Sequence, residues 1–229
     1  MMKKLQAVLF DLDGTLIDTA PDFIRIIKDL CREDGREAPS DAAIREQVSA
    51  GARAMVKLIF GEKFADVADD DPELLNYRQV FLDRYQADIC VDSQVFAGLD
   101  QLLISLENQG VPWGIVTNKP RYLAEELLAK LTLDTRCAVL VCPDDVKNTK
   151  PDPEPMYLAC DTIKVDPAAC IYIGDHHRDI AAGKAAGMTT VVAKFGYLSA
   201  DDLANLDTWG ADAVLDTPHD LTKWVLERV

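Results

Sequence analysis

Short apolar runs of strand length, separated by helical patterns, limit what this chain can fold into more than any other feature. The runs are 7–10, 113–117, 137–142, 170–173, 189–193 and 211–215. They show little of the polar alternation of a half-exposed strand, and unbroken runs of this kind fit strands covered on both faces. Between the later runs lie helical stripes. Leu123, Leu127, Leu128 and Leu131 share a face, as do Met156, Ala159 and Ile163, and the segment from Asp179 ends at Gly187, a common helix stop. Strand–helix alternation predicts an α/β fold, a doubly wound parallel sheet with helices on both faces.

The rhythm breaks once. About a hundred residues separate Phe10 from Trp113, where a βαβ unit needs roughly 30. The intervening stretch is helical. Pro21 marks a helix start, followed by Phe23, Ile26, Ile27 and Leu30 at spacings of three and four. Leu74, Tyr77, Phe81, Leu82 and Tyr85 repeat the pattern, and Leu99, Leu102, Leu103 and Leu106 form a stripe that stops at Gly110 and serves as the crossover helix. The expected organisation is a Rossmann-like core over 1–16 and 94–229, with an inserted α-helical cap subdomain over 17–93. An insert rooted just after the first strand is expected to sit above the strand ends, as a lid does. Asp69, Asp70 and Asp71 read as a solvated loop.

The chain has 39 acidic and 24 basic side chains and a formal net charge of -15. That balance argues against nucleic acid or an anionic membrane as a partner. It also requires that an anionic substrate be drawn in by a local cation or dipole. The start, Met1-Met2-Lys3-Lys4, is basic, but the apolar stretch behind it is about five residues long and breaks at Asp11, too short for a secretory signal. No run approaches the roughly 20 apolar residues of a membrane span. The six cysteines include no Cys-x-x-Cys pair. Most lie in apolar runs and read as buried thiols, with disulfides or zinc ligation as the alternatives. The expectation is a cytoplasmic protein, as monomer or homodimer.

Four motifs fall at strand ends. The run Ala7–Phe10 leads into Asp11-Leu12-Asp13-Gly14-Thr15. In an open α/β sheet the crevice beyond the strand ends binds ligands. Two carboxylates there suit a hard cation such as Mg²⁺, and one suits nucleophilic attack on phosphorus. Thr117-Asn118-Lys119-Pro120 follows the second run; its hydroxyl and backbone N–H groups suit a phosphoryl oxygen, or else a turn capping the next helix. Lys150-Pro151-Asp152-Pro153 holds a lysine on a stiff support, either to neutralise phosphate charge or as a surface lysine before a helix. Gly174-Asp175-His176-His177-Arg178-Asp179 supplies an acid at a strand tip and another four residues on, which suits a magnesium site. The two histidines invite a zinc reading, but adjacent histidines diverge.

Acid pair, hydroxyl, lysine and second acid pair, in that order, resemble the haloacid dehalogenase-like superfamily. Its signature is Asp-x-Asp-x-Thr, then Ser/Thr, then Lys, then Gly-Asp-x-x-x-Asp, and the resemblance covers essentially the whole chain, the inserted cap included. It implies that Asp11 is the nucleophile, forming an aspartyl-phosphate, and that Asp13 protonates the leaving alkoxide and later takes a proton from water. It implies Mg²⁺ held by the Asp11 carboxylate, the Asp13 carbonyl and Asp175, with Asp179 as a further ligand or outer partner. Thr117, Asn118 and Lys150 would hold the non-bridging oxygens. The dehalogenases have no acid at the position of Asp13, so its presence points to phosphoryl transfer.

Among the phosphatases of the superfamily the chain resembles the phosphoglycolate phosphatase group, through 51–56, 113–120, 142–151 and 209–212. Only the first of these lies in the expected cap, where selectivity should reside. There Gly51 would allow close approach of backbone to ligand, and Arg53 would pair with a substrate carboxylate; a solvated helical arginine is the alternative. The implied partner is a small phosphorylated metabolite, a carboxylate-bearing sugar or hydroxy acid phosphate. A sugar-phosphate mutase and a non-catalytic phosphate-binding regulator are the competing readings. A calcium loop built from Asp11, Asp13 and Asp22 fits poorly, because Gly14 is misplaced and a strand precedes it.

Overall fold

The computed structural model describes residues 4–64 and 66–229; the basic start, Met1 to Lys3, lies outside them. The chain divides into two compact units, one running to Asp18 and resuming at Val95, the other being Thr19–Gln94.

The first unit is built on a sheet. Its opening strand β1 (Ala7–Phe10) is buried along its whole length. A short strand β2 (Ile17–Asp18) follows at the point where the chain leaves the unit. Among the described residues the insert contributes the helices α1 (Ala20–Glu33), α2 (Asp41–Gln47), α3 (Ala52–Phe60) and α4 (Pro72–Ala87). The chain returns through β3 (Gln94–Val95), and the Phe96 amide donates to the Leu16 carbonyl at 3.1 Å. Then come α5 (Leu99–Asn108), β4 (Trp113–Val116), α6 (Arg121–Lys130), β5 (Val139–Val141), α7 (Glu154–Ile163) and β6 (Cys170–Gly174). The unit ends with α8 (His177–Ala185), β7 (Thr189–Ala193), α9 (Ala200–Asn205), β8 (Ala213–Leu215) and α10 (Pro218–Leu226).

Six strands form one sheet in the order β5-β4-β1-β6-β7-β8, and every pairing is parallel. Phe10 sits opposite Ile115 of β4 and Ile173 of β6, so the ends of the three central strands come level. The order reverses across β1, which makes its carboxyl end the switch point where such sheets bind ligands. Both faces are covered. Ala7, Leu9, Cys170 and Tyr172 pack with Met156, Ala159 and Cys160 of α7 and Ala182 of α8. Residues of opposite parity, Val8, Phe10, Ile171 and Ile173, are as deeply buried.

Several boundaries differ from expectation for local reasons. The run 137–142 narrows to β5 because Cys142 starts a turn in which the Asp145 carboxylate accepts the Cys142 amide at 2.8 Å. The stretch 211–215 narrows to β8 because the Asp212 carboxylate accepts the Thr190 amide at 2.7 Å, leaving the Asp212 side chain as a clamp ahead of the strand. Helix α8 begins before Asp179, since His176 caps it through Nδ1, which accepts the Arg178 amide at 3.2 Å. The aspartates at 69–71 are not simply solvated: Asp71 caps α4 by accepting the Glu73 and Leu74 amides, and Asp69 pairs with Lys57 and Arg53. All six cysteines are free; Cys31, Cys142, Cys160 and Cys170 are buried, while Cys90 and Cys137 are partly exposed.

The insert has its own core. Phe23 of α1 stacks on Tyr85 of α4 with centroids 4.3 Å apart, and Ile26, Ile27 and Cys31 continue the buried stripe. Cys31 takes the inward place expected of Leu30. No described helix is long and apolar enough to cross a membrane.

Candidate active site

Asp11 follows β1 directly, and its amide donates to the Ile173 carbonyl of β6 at 2.8 Å, so the backbone ladder carries on past the strand and fixes the residue. Its carboxylate faces Lys150. The lysine is fully buried, and its Nζ lies 2.8 Å from Asp11 Oδ1, 2.7 Å from Asp179 Oδ1, 2.9 Å from the Val116 carbonyl and 2.9 Å from the Tyr172 hydroxyl. The Tyr172 hydroxyl itself donates to the Val116 carbonyl at 2.8 Å. An ammonium taken out of water needs this many oxygens to offset its desolvation. The stiff support expected around Pro151 and Pro153 thus delivers the lysine inward; the surface alternative does not occur.

Asp11, Asp175 and Asp179 each bring one carboxylate oxygen to within 4.8 Å of the others. Missing side chains make the room. A Cβ on Gly14 would lie 2.1 Å from Asp175 Oδ2, one on Gly174 2.3 Å from the Asp179 Cβ, and one on Gly196 2.4 Å from the Asp175 Cβ. Gly14 is doubly required, because its φ of +80° is one that side chains resist. The Tyr197 amide donates to Asp175 Oδ2 at 2.8 Å and orients that carboxylate.

Charge is unevenly shared in this cluster. Burial pushes the Asp11 carboxyl above its usual range, against the pull of Lys150, with the Asp179 charge adding to the rise. At Asp179 burial acts in the same sense, but Lys150 and Arg178 outweigh it and hold the group below its usual value. Three buried carboxylates packed this closely are a donor set suited to a small hard dication. The residues present therefore fit a metal ion.

Asp13 does not bring its carboxylate into that triad. Its Oδ1 lies 3.0 Å from Lys119 Nζ, and the two side chains are 16% and 5% exposed. Thr117 Oγ1 accepts the Lys119 amide at 3.1 Å, which is the turn its alternative reading described, and it lies at the end of β4 with its amide bonded to Val141. Asn118 Nδ2 donates to the Lys150 carbonyl at 3.1 Å, tying the second motif to the third. The Thr15 hydroxyl is buried and makes no hydrogen bond with a described group. The histidines diverge: His176 caps α8, while His177 stands edge-on to Trp209 at 5.8 Å. Among the described residues neither joins a metal-ligating cluster.

In the insert, Gly51 has φ +91° and open space where a Cβ would be, so its backbone angle, as the residue ahead of α3, accounts for the glycine. Arg53 is 48% exposed and pairs with Asp69 at 3.3 Å. Asp22, the third acid of the calcium alternative, is consumed within the insert: its oxygens accept the Asp92 and Ser93 amides at 2.9 and 3.1 Å and meet Arg25 at 2.8 Å.

Four residues escape sequence reasoning. Lys119 stands inside a motif singled out for its neighbours. Tyr172 is the one polar-tipped residue in the run Ile171-Tyr172-Ile173, and that is its signal. Gly196 and Tyr197 carry no local signal, because their role depends on Asp175, which the fold alone brings to them.

The family described as Haloacid dehalogenase-like hydrolase matches residues 8–193. The chain belongs to that family. It is 48% identical over 220 residues to the N-acetylmuramic acid 6-phosphate phosphatase of Pseudomonas putida, covering 96% of each chain. It is 41% identical over 221 residues to a phosphoglycolate phosphatase of Xanthomonas campestris, again covering 96% of each. The solved structure of a predicted phosphoglycolate phosphatase from Haemophilus somnus shares the fold with a TM-score of 0.82 at 24% identity, covering 98% of this chain and 100% of the other. Hydrolase chemistry on the α/β core thus rests on family membership as well as on the arrangement of the acids.

Proposed function

We propose that this hydrolase is a magnesium-dependent phosphomonoesterase whose substrate is N-acetylmuramic acid 6-phosphate, an ester of peptidoglycan recycling. The observation that carries the chemistry is the Asp11 carboxylate held 2.8 Å from a buried ammonium. The substrate rests on the 48% identity to the Pseudomonas putida enzyme over nearly its full length. The 41% identity to a phosphoglycolate phosphatase makes 2-phosphoglycolate the second candidate.

In this reading a carboxylate oxygen of Asp11 attacks phosphorus as the bond to the ester oxygen breaks. Asp13 gives its proton to the departing alkoxide, leaving an aspartyl-phosphate and a free alcohol. Water then attacks the same phosphorus, Asp13 takes its proton, and phosphate departs with Asp11 restored. Lys150, the Thr117 hydroxyl and the Asn118 amide hold the non-bridging oxygens. Asp11, Asp175 and Asp179, with the Asp13 carbonyl, are the groups that would hold Mg²⁺. Bound there, the ion supplies positive charge against the phosphoryl oxygens and favours the ionised form of Asp11. In the insert, Gly51 and Arg53 are the proposed substrate contacts. An exposed ion pair such as Arg53 with Asp69 is weak enough to be exchanged for a substrate carboxylate.

The test is kcat/KM for the two esters at one magnesium concentration. A preference of a hundredfold for the muramic acid ester, about 2.7 kcal/mol of transition-state discrimination, supports the assignment. Faster turnover of 2-phosphoglycolate moves the substrate to the second candidate and leaves the mechanism in place.

A further inference from the structure

The two acids of the first motif each face a lysine of their own. Lys150 meets Asp11 at 2.8 Å, and Lys119 meets Asp13 at 3.0 Å. The first pairing belongs to the nucleophile. The second has no part in holding phosphate or metal as assigned above, yet Lys119 is buried, with its side chain only 5% exposed. A buried ammonium is costly unless its partner is well placed, and the partner here is the group that must move protons.

We propose that Lys119 is the positioning residue for Asp13, fixing its carboxylate so that proton transfer to the leaving oxygen runs through Oδ2. This rests on the reading of Asp13 as the acid and base of the aspartyl-phosphate mechanism. Two features of the structure set the geometry. The Lys119 amide is anchored to Thr117 Oγ1 at 3.1 Å, so its backbone is fixed at the end of β4. Pro120 and α6 follow at once, which gives the lysine a rigid base on both sides. Donation from Nζ to Oδ1 fixes how the carboxyl group is turned, which makes Oδ2 the oxygen for proton transfer in this proposal. A freely rotating aspartate would present either oxygen and lose much of the benefit of a placed acid.

Proton donation matters only when the leaving group is a poor one, which separates this role from phosphate binding or general support. The experiment measures kcat/KM of Lys119→Met and Lys119→Arg on an alkyl ester, N-acetylmuramic acid 6-phosphate or 2-phosphoglycolate, and on p-nitrophenyl phosphate, whose phenolate leaves without help. Lys119→Met is expected to lose about thirtyfold on the alkyl ester and less than about threefold on the aryl ester, with Lys119→Arg recovering most of the loss. A second measurement uses the alkyl ester alone. In an Asp13→Asn background, Lys119→Met is expected to cost less than about threefold further, because both changes remove one proton transfer.

Equal losses on both esters, or a full additional loss in the Asp13→Asn background, would overturn the proposal and make Lys119 a phosphate contact or a structural lysine. The underlying reading is judged separately by Asp13→Asn alone. If that variant fails to lose more on the alkyl than on the aryl ester, Asp13 is not the acid; if it does and Lys119→Met does not, only the role of Lys119 falls.

Discussion

In the α/β unit Lys150 has no exposed side-chain surface, and its partners come from β1, β4, β6 and α8. In the insert, Arg53, Lys57 and Lys63 meet Asp69 and Glu73 at the surface, from neighbouring stretches of the same unit. Both units carry exposed ion pairs, but the first also buries two lysines against carboxylates, where water is excluded and the partners come from distant parts of the chain. The second leaves most of its ions in solvent, where a pair contributes little. Asp22 is the exception in the insert, a buried carboxylate that joins the start of α1 to Asp92 and Ser93. Loss of a charged partner is therefore expected to be costly at the buried lysines of the first unit and mostly tolerated in the second, Asp22 excepted.

The sharpest way to break this contrast is Asp11→Asn, which keeps size and shape and leaves Lys150 paired with Asp179. It should reduce turnover by at least about a thousandfold with the fold intact, measured as phosphate release alongside circular dichroism. Next is Gly174→Ala. The added methyl would meet Asp179 at 2.3 Å and must displace it. A shift of that kind should cost about a hundredfold in activity and weaken metal affinity, read by titrating the activity with Mg²⁺.

In the insert, Asp22→Ala should destabilise by about 2 kcal/mol, seen in urea unfolding followed by a probe in that unit, since it strands the amides of Asp92 and Ser93. Burial alone would raise the Asp22 pKa, but the hydrogen bonds from Ser93 and Arg25 prevail and hold it low. Its stabilising contribution is then complete above the unfolded value of about 3.9 and is lost as pH falls through the lower folded value. Wild type should lose this increment on acidification and Asp22→Ala should not. The smallest effect belongs to Arg53→Ala, expected to change stability by less than about 0.5 kcal/mol. If Arg53 contacts the substrate carboxylate, KM for the carboxylate-bearing esters rises while p-nitrophenyl phosphate is unaffected.

What could be read along the chain and what could not divides along the same line. Asp11, Thr117 and Asp175 announce themselves because each ends an apolar run, and parallel strands bring such ends to one edge. The order of the sheet's motifs is legible for the same reason. The pairing of Lys119 with Asp13, the hydroxyl of Tyr172 beneath Lys150 and the clearance at Gly196 are contacts between residues far apart in sequence, and no local period records them. The insert is legible as helices through its spacings, yet spacings of three and four from Ile27 fit Leu30 and Cys31 alike, and only the packed helix buries Cys31. Asp71 lies in a loop, as the sequence suggests, but its capping of α4 is hidden in a run of three acids ahead of Pro72.

The four contacts of Lys150 also govern when the protein can first work. Asp11 emerges early in synthesis, but the lysine opposite it comes much later, and the tyrosine and aspartate that complete its surroundings later still. None of these partners can be supplied by a local turn or a single hairpin, because they come from three strands of a parallel sheet, the slow kind of structure to assemble, and from α8. A nascent or partly unfolded chain thus carries Asp11 without the means to use it. The site is complete only when β1 has paired with β4 and β6 and the loop after β5 has delivered Lys150, so loss of activity under mild denaturant should track the separation of those strands and not the fate of the edge strand β8.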